Sequence, residues 1–306
     1  MKIEKTTFGG WTNCLRLANE HAELIITLDV GPRVISYQHL PGGKNVLKTN
    51  AEELGQSGED AYRARGGHRL WLAPENERTY FPDNSPVTYE LLPNGVRLEN
   101  EAVAPWHIKK SLIVTLAEDS SEVKLEHRAT NAGTAPVTLA TWGVTTMEAG
   151  GLEIIPRPPM SPHARNVQPN RQQVLWPYTD TADDRWRWGR EFITLRQTPH
   201  SAPTKLGLRH QMKWIGYLTR SVLFIKLVEF EEGATYPDFG CNFETFSNAN
   251  MLQIETLSPL RTLAPGESVG HGESWRLFGS IPEPNSLKED ALSDWIEPFL
   301  GKLGLL

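Results

Sequence analysis

At 306 residues, with a formal net charge of −6 and a pI near 5.9, the chain lacks the basic excess of a general nucleic-acid binder. No apolar run approaches the ~20 residues of a membrane span, and two cysteines, Cys14 and Cys241, are too few for a disulfide framework. Length alone allows two domains, but all-β sandwiches run to roughly 250 residues as one unit, and a core of this size needs no covalent staples.

The chain opens on Met1-Lys-Ile-Glu-Lys-Thr-Thr-Phe-Gly-Gly, with no apolar signal-peptide core. With so few cysteines this predicts a reduced cytoplasmic protein, one disulfide being the alternative. Strand-like runs follow at 24–28, 33–37, 68–72, 87–92, 96–100, 108–116, 123–130, 137–145 and 152–155. They resume at 192–196, 213–219, 222–230, 242–246 and 253–256. Pro41-Gly-Gly43, Pro93-Asn-Gly95, Asn131-Ala-Gly133 and Glu232-Gly233 punctuate them as turns, Asn and Gly tolerating positive φ. No long helical pattern separates the strands, which predicts an all-β fold and argues against a doubly wound one.

Several stretches carry candidate chemistry. In Arg65-Gly-Gly-His-Arg-Leu-Trp-Leu-Ala-Pro-Glu75 the glycines permit close approach of a ligand or a neighbouring strand. Strand alternation then sends His68 and Leu70 to one face, and Arg69 and Trp71 to the other, unless a bulge follows the glycines. Arg69 beside Trp71 makes a donor fork next to an aromatic plate, with Glu75 shortly after. If only that face reaches a pocket, His68 is a core histidine. Residues 157–190, rich in Pro, Arg, Asn, Asp and Trp, read as a long loop or lid over a concave site. Lys205, Arg209 and His210 form a charged rim, a contact for an acidic sugar, or a solvated strand end. His127 reads as a structural histidine. His107 and His271 carry no assigned role.

Asp238-Phe-Gly-Cys-Asn-Phe-Glu244 precedes the most informative strand, Met251-Leu-Gln-Ile-Glu-Thr-Leu257. Asn242 and Glu244 share a polar face that suits sugar hydroxyls. A hairpin through Asn248-Ala-Asn250 brings Glu244 and Glu255 onto neighbouring strands in an unknown register. Two close carboxylates raise one pKa, which favours acid/base work; alternatively, with Asp238, they chelate a hard cation such as Ca²⁺. The chain closes with Ser286-Leu-Lys-Glu289, a capping box that starts a helix over 286–300, Pro298 ending or kinking it. Ten tryptophans fit both an aromatic core and indole platforms for sugar rings. No Walker loop, dinucleotide fingerprint or paired-Cys metal motif is present, so neither a cofactor nor a metal ligand set is expected.

The strand ending in Glu255-Thr256, followed by Ser258-Pro259, then Leu263-Ala-Pro-Gly-Glu267, His271 and Glu273-Ser-Trp-Arg-Leu277, resembles the C-terminal signature of the galactose mutarotase (aldose 1-epimerase) superfamily. Leu28-Asp-Val-Gly-Pro-Arg-Val34 is similar to its opening hairpin, with Gly31 at the turn and Arg33 a structural strand-start residue. Val123 to Leu139 is similar to its "strand, Asn-x-Gly turn, Pro, strand" hairpin. The resemblance implies one galactose mutarotase-like β-supersandwich domain over 1–306, a sugar substrate and Glu255 as catalytic base. In the best-known mutarotases the second strand of that hairpin carries the general-acid histidine; here the place falls at or next to Trp142, which exchanges no proton at neutral pH. Either another residue, with His68 as candidate, supplies the acid, or the indole is a stacking wall and the chemistry differs. The expected function is an aldose 1-epimerase-like isomerase acting on a small-molecule sugar. Arg69, Trp71, Glu75, Trp142, Asp238, Asn242 and Glu244 would hold the ring, with no nucleic-acid or membrane partner. The alternatives are another epimerase, isomerase or lyase on a modified or acidic sugar, and a carbohydrate-binding protein without turnover.

Overall fold

Period-two alternation of aliphatic and polar side chains drives most of the chain into antiparallel strands. The computed structural model describes residues 1–199 and 202–306, 45% of them strand and 7% helix. In chain order the strands are β1 (Lys2–Phe8), β2 (Trp11–Ala18), β3 (Ala22–Thr27), β4 (Arg33–His39), β5 (His68–Ala73), β6 (Thr88–Leu92), β7 (Gly95–Glu99) and β8 (Ile108–Leu116). Next come β9 (Val123–Asn131), β10 (Val137–Met147), β11 (Leu152–Pro156), β12 (Gln173–Leu175), β13 (Trp186–Trp188), β14 (Phe192–Arg196) and β15 (Thr204–Leu208). The last are β16 (Trp214–Thr219), β17 (Val222–Val228), β18 (Phe243–Ser247), β19 (Leu252–Leu257), β20 (Arg261–Leu263) and β21 (Ser268–Phe278). The runs expected from alternation form, with ends shifted by a few residues. The pair β1 and β2, and the short β12, β13, β15 and β20, lack a clear pattern and were not expected.

Two sheets stack face to face. One runs β1-β2-β3-β4-β5-β10-β19-β18-β15-β12, with β20 pairing β10; the other runs β13-β14-β11-β16-β17-β21-β9-β8-β7-β6. Their facing sides bury one continuous core that includes Leu24, Val34, Tyr37, Leu112, Val114, Ile254 and Trp275. This is a two-sheet antiparallel β-sandwich. The tryptophans lie in different layers: Trp275 is in the core between the sheets, Trp214 belongs to the apolar cluster on the outer side of the second sheet, and Trp142, itself buried, lies with Trp71 on the outer side of the first sheet.

Local chemistry sets the connections. Gly31 adopts φ +136°, as the turn before β4 requires. The Asn131 turn works differently from expectation: neither Asn131 nor Gly133 is left-handed. The Asn131 side chain instead accepts from Gly133 N at 2.9 Å and donates to Ala135 O and Leu263 O, at 2.9 and 3.0 Å. Cys14 and Cys241 are free and buried. Among the described residues no helix is long and apolar enough to cross a membrane.

The C-terminal helix spans Glu289–Lys302, so it starts later than the sequence suggests and continues through Pro298. The capping box does not form. Ser286 Oγ accepts from Lys288 N at 3.1 Å, while Glu289 turns outward to accept from Glu191 N at 2.7 Å and to pair with Arg190. What holds the helix is its apolar face: Leu292, Ile296 and Leu300 pack on Leu152, Ile154, Trp214 and Leu223 of the second sheet. Ile296→Ala is therefore expected to cost about 2–5 kcal/mol through cavity formation, read as a lower urea midpoint at unchanged slope.

Candidate active site

Strands β15, β18 and β19 set the geometry. Glu244 on β18 lies directly opposite Glu255 on β19, and β15 pairs the other edge of β18 with Lys205 opposite Phe246. The Lys205 ammonium reaches both carboxylates, at 2.6 Å from Glu244 Oε2 and 3.2 Å from Glu255 Oε2. All three side chains are almost fully buried. Trp142 on β10 completes the hold on Glu255, its Nε1 donating to Oε2 at 3.1 Å.

Two carboxylates around one ammonium cannot both stay ionised cheaply. Burial pushes the Glu244 carboxyl well above the ordinary range; Lys205 pulls it back, while the charges of Glu255 and Asp238 add to the rise. Burial works against the charge of Lys205, but Glu255 and Glu244 overcome it and hold the ammonium well above its usual pKa. The site thus favours a charged Lys205 and a protonated Glu244.

Aromatic rings wall this centre. Lys205 Nζ lies 4.7 Å from the Trp142 ring centroid and 4.6 Å from that of Trp176. Trp142 meets Trp71 edge-on at 5.3 Å, and Trp71 meets Tyr80 and Tyr62 at 5.3 and 5.7 Å. Arg69 lies over Trp71, with Cζ 4.0 Å from the ring centroid, and its Nη1 donates to Ala64 O. Tyr80 donates its hydroxyl to Glu75. Trp176 comes from the 157–190 segment and rests on Gly207 of β15, where a Cβ would come within 3.1 Å of the indole. The long loop thus lies over the carboxylate centre, latched by Gln172 donating to Phe239 O and Thr179 Oγ1 to Lys205 O.

Three expectations need correction. His68 does not face Glu255. No bulge interrupts β5, where Arg33 pairs with Arg69 and Val34 with His68 in regular register, so alternation sends His68 between the sheets against Trp275 and His127. The two glycines before it serve strand packing: a Cβ on Gly67 would lie 2.3 Å from Val34 O. Asn242 is not free for a ligand, because its side chain accepts from His210 N at 2.6 Å and donates to His210 O at 2.9 Å. Lys205 is no solvated strand end but the centre of the site, and its ammonium occupies the place that a Ca²⁺ between Glu244 and Glu255 would need.

Arg69, Trp71, Trp142, Glu244 and Glu255 do come together on one sheet face. Glu75 enters through Tyr80, and Asp238 through its charge on Glu244. Trp176, Tyr62 and Tyr80 were missed as site residues, and Lys205 was read only as a rim, an acidic-sugar contact or a strand end. A lysine inside the apolar run Thr204-Lys-Leu-Gly-Leu208 was the available signal for its burial. The tyrosines and Trp176 sit in loops and gave none.

The sequence matches no protein-family model and no curated protein. Solved structures do match. A TPR-domain containing protein from Parabacteroides distasonis aligns at 15% identity over 90% of this chain and 50% of its own, with a TM-score of 0.60. The present chain therefore spans about half the length of that protein. A galactose mutarotase-like protein from Lactobacillus casei aligns at 11% identity over 87% of this chain and all of its own, with a TM-score of 0.57. Another from Clostridium acetobutylicum aligns at 12% identity over 91% and 99%, with a TM-score of 0.56. At such identities the likeness is one of fold.

Proposed function

We propose that this chain, by fold a divergent branch of the galactose mutarotase superfamily, binds an aldose on the concave face of its first sheet and interconverts the anomers by acid/base ring opening. The observation that carries the reading is the Glu244–Lys205–Glu255 centre, in which one ammonium reaches two buried carboxylates and burial raises the pKa of Glu244. Pairs of titratable groups pushed apart in pKa are what a proton-in, proton-out reaction needs.

In this reading ionised Glu255 takes the proton from the anomeric hydroxyl while protonated Glu244 gives one to the ring oxygen. The C1–ring oxygen bond breaks, the aldehyde rotates, and both transfers reverse on the opposite face, which restores the two carboxyls. Glu244 replaces the histidine whose family position is taken by Trp142. The indoles of Trp142 and Trp71 supply flat apolar surface for sugar C–H bonds, and Arg69 and Glu75 supply polar contacts at the rim. Trp176, packed on Gly207 and 4.6 Å from Lys205 Nζ, adds a further apolar wall.

An acid that must be protonated sets a pH limit. Glu244 is raised by burial and is competent below its elevated pKa, so kcat/KM for anomeric exchange is expected to fall as pH rises through that value. NMR exchange measurements across pH test this, using a panel of neutral aldoses, uronic acids and sugar phosphates. In Glu244→Gln the alkaline limb and most of the rate should vanish together. An alkaline limb that survives in the variant at wild-type rate assigns the acid elsewhere.

A further inference from the structure

The space between the sheets holds a second polar cluster, on the opposite side of the first sheet from the carboxylate centre. His68 on β5, His127 on β9 and Glu273 on β21 are all buried. His68 Nε2 lies 2.8 Å from His127 Nε2, and Glu273 Oε1 lies 3.6 and 3.7 Å from those two nitrogens. Glu273 Oε2 is fully used, by Lys226 Nζ at 2.8 Å and Thr256 Oγ1 at 2.8 Å. Glu273 Oε1 is buried without a hydrogen-bond partner and faces the two imidazoles. Leaving a buried carboxylate oxygen in that state is costly.

We propose that His68 Nε2, His127 Nε2 and Glu273 Oε1 bind one divalent ion of the Zn²⁺ class between the two sheets. The inference is independent of any sugar chemistry on the concave face.

The geometry is that of a ligand triangle. The three separations define a point about 2.0 Å from each atom, the length of Zn–N and Zn–O bonds, and the two imidazoles, whose ring centroids lie 5.0 Å apart, turn toward it as the ion replaces the contact between their Nε2 atoms. The far sides of both rings are anchored as metal-bound imidazoles usually are. His127 Nδ1 lies 3.2 Å from the carbonyl oxygen of His271. A carbonyl only accepts, so Nδ1 carries the proton and Nε2 presents a lone pair to the triangle. His68 Nδ1 lies 2.9 Å from Thr145 Oγ1; with its proton there, donated to the hydroxyl, its Nε2 lone pair also points inward. Without the ion His68 takes the other tautomer and donates from Nε2 to His127 Nε2, a 2.8 Å hydrogen bond that the cation replaces. Gly143 of β10 closes over the cluster: an added Cβ would come 3.2 Å from His127 Nε2, so only a residue without a side chain leaves that ring its place. Lys226 stays on the other carboxylate oxygen, its remaining bonds going to Thr145 Oγ1 at 2.7 Å and Ile254 O at 3.1 Å. Two imidazoles and a carboxylate without sulfur favour Zn²⁺ or Co²⁺ over Ca²⁺ or Cu⁺.

The test uses the full chain, stripped with chelator, reloaded with Zn²⁺ or Co²⁺ and passed through gel filtration. The expected result is one ion retained per chain, a higher thermal midpoint on loading, and visible Co²⁺ bands of low-coordinate type. X-ray absorption should show two imidazoles in a nitrogen/oxygen shell at ~2.0 Å. His127→Gln and Glu273→Gln should each lower retention about tenfold or more, whereas His163→Gln, in the exposed part of the long loop, should retain the ion fully. Wild type that retains no metal, a metal shell without imidazole, or equal retention by the ligand variants overturns the proposal. Should both ligand variants fail to fold, the absorption spectrum of the loaded wild type decides.

Discussion

Glu255→Gln is expected to lower anomeric exchange by about 100-fold or more, the scale of losing a positioned general base, with little change in the urea midpoint. Stability is spared because the site compensates. Lys205 keeps Glu244 at 2.6 Å as its counter-charge, and that carboxyl ionises once its neighbour is neutral. The glutamine oxygen still accepts from Trp142 Nε1. The variant thus removes the base without leaving a buried charge unpaired. NMR exchange on wild type and variant side by side separates the outcomes. Equal rates remove Glu255 from the chemistry. No exchange by wild type on any sugar, with ligand line broadening retained, retires the epimerase reading and leaves a carbohydrate-binding face.

The largest stability effect is expected at Asp83. Its carboxylate lies 3.0 Å from Arg33 Nη2, with the two side chains 4% and 0% exposed. Arg33 Nη1 also donates to Gly66 O at 2.5 Å, which ties the start of β4 to the Gly-Gly turn before β5. Asp83→Ala strands a buried guanidinium and should cost about 3–5 kcal/mol. Arg33→Met in the same chain should recover a large part, because no charge is then left unpaired. Urea midpoints for the two single variants and the double variant measure the coupling. The pH dependence has a definite sign. Burial raises the Asp83 pKa, but Arg33, Lys110, Arg69 and Arg65 outweigh it and hold the carboxyl below its ordinary value. The stabilisation is therefore complete above the unfolded carboxylate pKa of about 3.9 and fades as pH falls through the folded one. The gap between wild type and Asp83→Ala should close in acid. A gap that stays constant down to acid unfolding would assign the loss to packing.

Much of the architecture was legible in the chain because backbone geometry writes it locally. Successive side chains on a strand point to opposite faces, so runs such as Leu252-Gln-Ile-Glu-Thr-Leu257 declare their strand and place Gln253 and Glu255 together. The same rule already opposed His68 to Arg69. A bulge after Gly66-Gly67 was the one device that could have joined them, and the glycines serve close packing instead, Gly67 against Val34 of β4 and Gly66 against Lys48. Arg33 was readable as structural for a similar reason, standing at a strand start directly after a glycine turn. The helix was legible in kind but not in its start, since Glu289 found a better partner in the Glu191 amide and Arg190 than in its own N-terminus.

Only the tertiary structure decided which side chains meet. The Glu244–Glu255 register, the insertion of Lys205 from β15 between them, and the seat of Trp176 on Gly207 depend on strands far apart in sequence. So does the meeting of His68, His127 and Glu273, which come from three strands in two different sheets. Alternation is a property of neighbouring residues and can be read from them. Partner choice between strands is settled by burying all the apolar faces at once, and no local stretch of sequence contains that sum.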